Sequence, residues 1–169
     1  MRYYNFITLR ASDARFLGEK NMTKTEAQEV LSFHSCRNTN VNDPRWEYGF
    51  VGRLRPSSGE LNEDNFIQIM ESIRILKHDL SSETIDKNLV YDIISIIRLT
   101  RTWCVSPGGL NNNLTDHDQD KLLTWVGIIE KTLFYLLDGA DEEIAFQDYE
   151  CYLQDSSEQL LKAELLRAI

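Results

Sequence analysis

Residues 85–104 read IDKNLVYDIISIIRLTRTWC. Ile85, Leu89, Val90, Ile93, Ile94, Ile96, Ile97 and Leu99 recur at helical spacing over so wide an arc that a helix here must be buried on most sides. Isoleucine favours strands. The length of the run, its capping and its periodicity nevertheless predict a central helix ending near Trp103, ahead of the Ser-Pro-Gly-Gly at 106–109. Ile94 is expected in the core. Ser81 or Ser82 is placed to cap the start of this helix, after a break at Leu80–Glu83.

Working outward, Asn62 onward predicts an amphipathic helix on Phe66, Ile67, Ile69, Met70, Ile73 and Leu76. On the other side, Thr115 followed by Asp116, Asp118 and Asp120 opens a long helix whose early acids suit the positive end of the dipole. Its core face is read as Leu122, Leu123, Trp125, Val126, Ile129, Leu133, Leu136 and Leu137, with Gly139 as the left-handed stop. Two shorter helices should follow, near 141–153 and 156–168, the second capped by Ser156 or Ser157 and closing on Leu160, Leu161, Leu165 and Leu166. Toward the N-terminus, Thr23 and Glu26 form a capping box for a helix of about three turns through His34. The stretch from about 36 to 61 carries two prolines and three glycines and reads as a long loop with room for a small hairpin. Residues 1–10 favour an extended strand or wrap. The sum is an all-α, single-domain bundle of five to six helices over residues 1–169, irregular in its N-terminal quarter.

Composition narrows the classes. At 169 residues, 42% hydrophobic and 27% charged, with 8 Gly and 3 Pro, the chain is neither collagen-like nor compositionally disordered. No run of about 18 apolar residues exists to span a membrane, and MRYYNFITLR lacks the apolar core of a signal peptide. Cys36, Cys104 and Cys151 are odd in number and widely spaced, which argues for a reducing cytoplasm over a disulfide framework. Buried, inert thiols are expected at Cys104 and Cys151.

The net charge of -9 is uneven. Residues 1–55 carry nine Lys/Arg against six Asp/Glu, whereas residues 56–169 carry nine against twenty-one. An acidic body of this kind repels phosphate and argues against a nucleic-acid partner. Within it, residues 138–158 hold eight acids and no Lys or Arg.

No motif reaches a catalytic or cofactor signature, and no cofactor is expected. Asp116-His117-Asp118-Gln119-Asp120 imitates the opening of a calcium loop, but Lys121 and Gly127 stand where that loop needs Gly and Glu, so it reads as a helix start and not a metal site. YGFVGRLR and Pro107-Gly108-Gly109 lack the spacing of phosphate-binding glycines. His34 and Cys36 offer two zinc ligands where four are needed.

Two surfaces remain. Asp141, Glu142, Glu143, Asp148, Tyr149 and Tyr152 form an acidic, tyrosine-bearing face suited to a basic protein partner. Small acidic inhibitors of nucleases and toxins share this size and charge, so inhibition of a basic toxin is one expectation within that class. The alternative is a small-ligand-binding protein or enzyme, its pocket between the bundle and residues 37–55. Arg98, Arg101, Arg45, Trp46 and Arg53 would there supply anion contacts, with Arg37, Tyr48, Phe50 and Arg55 alongside. Pairing of two copies through apolar helix faces is compatible with either reading.

Overall fold

The structure, a computed structural model, describes residues 22–55, 61–105 and 114–167. The expected strand or wrap at residues 1–10 lies outside the described residues. What is described is all-α, with no strand among the described residues. Five long helices carry it: α1 (Lys24–His34), α4 (Glu63–Ile75), α6 (Lys87–Thr100), α7 (Asp116–Leu137) and α9 (Gln147–Arg167). Between them stand four short ones: α2 (Pro44–Tyr48), α3 (Phe50–Arg53), α5 (Lys77–Leu80) and α8 (Glu142–Ala145). The chain divides into two compact units, residues 22–146 and a second that contains α9.

The helix starts follow their caps. Thr23 and Glu26 form the capping box of α1, Asn62 caps α4, and Thr115 with Asp118 forms a second box at α7. The acidic run 116–120 is therefore the first turn of a helix. α6 starts at neither Ser81 nor Ser82. The Ser81 hydroxyl donates back to the Lys77 carbonyl at 3.0 Å, and the Asp86 carboxylate takes the cap by accepting from the Asn88 N–H at 2.8 Å. At its other end α6 runs to Thr100 and continues as one π-helical turn, Arg101–Val105.

Two departures from expectation have local causes. In place of a long loop or hairpin, residues 44–53 form α2 and α3, because Asp43 caps and Pro44 occupies the first helical position, where its missing N–H costs nothing. The predicted break near Ser156 does not occur. The Ser157 hydroxyl donates to the Leu153 carbonyl at 2.7 Å inside a continuous α9, so it does not cap a new helix. Leu161, Leu165 and Leu166, expected to close on a core, are exposed.

In the unit of residues 22–146, Lys24–Asp79 and His34–Gln68 pair α1 antiparallel to α4–α5, while Lys121–Glu63 and the stacked rings of Trp125 and Phe66 run α7 parallel to α4. The Phe66 and Trp125 rings lie 5.2 Å apart at 7°, and Phe50 of α3 meets Trp125 at 6.0 Å. Ala27, Leu31, Ile69, Met70, Ile73, Ile93, Ile96, Val126 and Ile129 fill the space around them. α6 is central, but not on every side. Leu89, Ile93, Ile96 and Ile97 point inward, while Ile94 keeps 44% of its surface exposed. The expectation for Ile94 was wrong because 100° per residue turns it away from Ile93.

Candidate functional site

The basic segment is built from the end of α1. Cys36 adopts a left-handed φ of 58°, its N–H donates to the Phe33 carbonyl, and the Arg37 N–H donates to the Ser32 carbonyl. This is the helix-ending turn usually given to glycine. It brings Ser35 and Arg37 to Asp92 of α6: the Ser35 hydroxyl donates to Asp92 Oδ1 at 2.9 Å and Arg37 Nε to the same oxygen at 2.8 Å. Burial pushes the Asp92 carboxyl above its ordinary value, and the Ser35 and Arg37 hydrogen bonds pull the other way.

The arginines of this segment, Arg37 included, are stacked on aromatic rings. Arg37 lies over Tyr91 at 5.1 Å, Arg45 over Phe33 at 4.1 Å, Arg53 over Tyr48 at 5.4 Å and Arg55 over Trp46 at 3.9 Å. Arg45 also pairs with Asp43 and Glu29. Its hydrogen bond holds the Asp43 carboxyl below the usual range. Beneath them His34 is buried, its Nδ1 accepting from the Phe50 N–H at 3.0 Å and its Nε2 3.3 Å from Gln68 Oε1. Burial lowers the His34 pKa to about 4, so the ring is neutral and Nε2 carries the proton that Gln68 accepts.

The glycines of YGFVGRLR serve packing. A Cβ on Gly52 would sit 2.4 Å from the Trp46 carbonyl, and one on Gly49 would sit 2.8 Å from the Arg45 carbonyl. They let α2, α3 and the end of α1 approach closely. Arg98 and Arg101 do not form a clamp. Arg101 makes a bidentate pair with Glu130 of α7, at 2.8 and 2.5 Å, while Arg98 is exposed on α6. Arg74 sits by Glu71, Glu142 and the Phe146 ring.

The residues of the expected acidic face fall in different settings. Asp141 and Glu143 are exposed at the corner between α7 and α8, and Glu142 is held by Lys77 and Arg74. No cation among the described residues reaches Asp138, Asp141 or Glu143. Asp148, Tyr149 and Tyr152 belong to the other unit, on α9. Tyr149 is 0% exposed and presents no contact surface. Leu153, four residues further along α9 and so on the same side of the helix, is buried as well.

Sequence reasoning missed the apolar part of this corner. Leu123 and Leu137, expected in the core, are exposed, as are Phe134 at 62% and Ile144 at 50%. Leu123, Gly127, Glu130, Phe134 and Leu137 follow one another at alternating steps of four and three along the outer side of α7. Such a stripe matches the seam of a helix pair. A Cβ added at Gly127 would meet nothing within 4 Å. The steps were readable, but Leu122–Leu123 and Leu136–Leu137 are adjacent apolar pairs, and only packing decides which member faces in.

No family model, curated protein or solved structure matches the chain. No helix among the described residues is long and apolar enough to cross a membrane. The three cysteines are free, with Cys104 buried as expected and Cys151 exposed against expectation. Burial raises the Cys104 thiol to about 11.

Proposed function

We propose that the protein is an interaction module whose outer α7 stripe and α7–α8 corner take a basic, amphipathic helical segment of a protein partner. The observation that carries this reading is the setting of Phe134, Leu137 and Ile144. Three large apolar side chains lie exposed within eleven residues of chain, among Asp138, Asp141 and Glu143, which no cation among the described residues neutralises. Apolar anchors inside a charged rim are the anatomy of a contact surface. Carboxylates around it favour cationic partners and speed their approach. Three free thiols fit a reducing compartment, and we place the activity in the cytoplasm.

The test uses a synthetic helical peptide with leucines on one face and lysines on the other, titrated by fluorescence anisotropy. Binding to the wild-type chain that Phe134→Glu abolishes supports the reading, and the double variant Asp141→Asn/Glu143→Gln should slow association most at low salt. Equal binding by wild type and Phe134→Glu would remove this face from the account.

A further inference from the structure

The α6 helix has an outer side of its own, and its character is the reverse of the α7–α8 corner. Lys87, Tyr91, Ile94 and Arg98 are exposed and succeed one another at steps of four, three and four. Tyr91 is 59% exposed, and Lys87 and Arg98 meet no carboxylate among the described residues. This is a basic, amphipathic helical stripe. The next step of three from Arg98 reaches Arg101, whose exposed bidentate pair with Glu130 joins this stripe to that of α7. That pair ties the C-terminal end of the α6 stripe to the middle of the α7 stripe.

We infer that the occupant of the α7–α8 face is the α6 stripe of a second copy of this chain, in a symmetric dimer. This rests on the docking reading above and names its partner. A two-fold axis near Arg101–Glu130 lays α6 of each copy on α7 of the other, so one rotation satisfies both contacts and leaves no open end. Charge complementarity favours it at the α8 end: Lys87 of one copy comes to Asp141 and Glu143 of the other, while Arg98, eleven residues further along α6, falls toward Glu130. The apolar steps match as well, with Tyr91 and Ile94 facing Phe134 and Leu137 at heptad-like spacing. The open space above Gly127 accepts a large side chain of the approaching helix. α6, roughly 21 Å long, and α7, roughly 33 Å long, each roughly 10 Å across, present on the order of 500 Å² a side. That is the size of a weak, reversible association. The net charge of -9 opposes association at long range, but at about 0.1 M salt that repulsion is screened beyond about 10 Å while contacts at the face persist.

Sedimentation equilibrium of the full chain, from about 1 to 100 μM in about 0.1 M salt, tests this. The expected mass rises from 19.7 kDa toward twice that value. Ile94→Glu on α6 and Phe134→Glu on α7 should each weaken dimerisation at least about tenfold, with circular dichroism showing unchanged helicity because both residues are exposed in the monomer. A mass that stays at the monomer value throughout overturns the second copy as occupant. So does a dimer that Phe134→Glu breaks and Ile94→Glu leaves intact. The lysine–leucine peptide separates the two claims: if the chain stays monomeric yet binds the peptide through Phe134, the docking face stands and only its self-recognition falls. If the peptide also fails to bind, the docking face falls with it.

Discussion

The segment from Arg37 to Arg55 and the corner from Phe134 to Ile144 carry opposite charges, and the fold disposes of them in opposite ways. In the first, Arg37 is held by Asp92, Arg45 by Asp43 and Glu29, and all four guanidinium groups lie on aromatic rings. In the second, among the described residues only Glu142 is tied to cations, through Lys77 and Arg74, while large apolar side chains are left in solvent beside Asp138, Asp141 and Glu143. A cluster of arginines and aromatics is therefore no sign of a binding surface when the chain supplies its own carboxylates and rings. The informative feature is what the fold leaves unsatisfied.

The largest effect expected from this contrast compares two phenylalanines. Phe50→Ala, which removes a buried ring from Trp125, should cost about 3–5 kcal/mol in denaturant unfolding, whereas Phe134→Ala should change stability by less than about 0.5 kcal/mol. Similar costs at both positions would erase the distinction between a structural segment and an open corner.

His34 gives the next effect, through pH. The unfolded chain takes up this proton near pH 6.5 and the folded chain only near 4, so the unfolded state binds more protons between those values. Stability is fully present above pH 6.5 and falls as the pH drops through the window, by up to about 3 kcal/mol. The difference in unfolding free energy between wild type and His34→Gln, followed from pH 7 to 4, isolates this contribution. A difference independent of pH would mean that the ring is already solvated in the folded state.

Asp92 sharpens the comparison further. Asp92→Ala leaves the Ser35 hydroxyl and the Arg37 guanidinium without their shared acceptor and should cost about 1–3 kcal/mol by thermal unfolding. A small change, under about 1 kcal/mol in dilute solution, is expected from Ile94→Ala on the outer side of α6. A loss of several kcal/mol there would restore the all-round burial that the isoleucine run implies.

Much of the fold was legible where a local rule governs. The Thr23–Glu26 box and the left-handed Gly139 at φ 79° stand as the sequence predicts, and the helices expected from Asn62 and Thr115 start there, where the structure adds an Asn62 cap and a Thr115–Asp118 box. The misses share a different cause. Ser81 and Ser157 turn their hydroxyls back to carbonyls four residues earlier, so they look like caps but are not. Ile94, Leu123 and Leu137 stand beside apolar residues in sequence, and which of each pair is buried depends on where the partner helix lies. Of the candidate site, Asp141 and Glu143 were readable as exposed acids, because a short run without cations has nothing local to pair with. Tyr149 was not, nor were Phe134 and Ile144, since exposure of an aromatic or aliphatic side chain is a property of tertiary packing.

The most direct measurement is the backbone amide NMR spectrum of the isotopically labelled chain during titration with the lysine–leucine peptide. Shifts are expected at Leu123, Gly127, Phe134, Leu137 and Ile144, with little change between Arg37 and Arg55. Shifts confined to residues 37–55, with the α7–α8 corner unmoved, would contradict it.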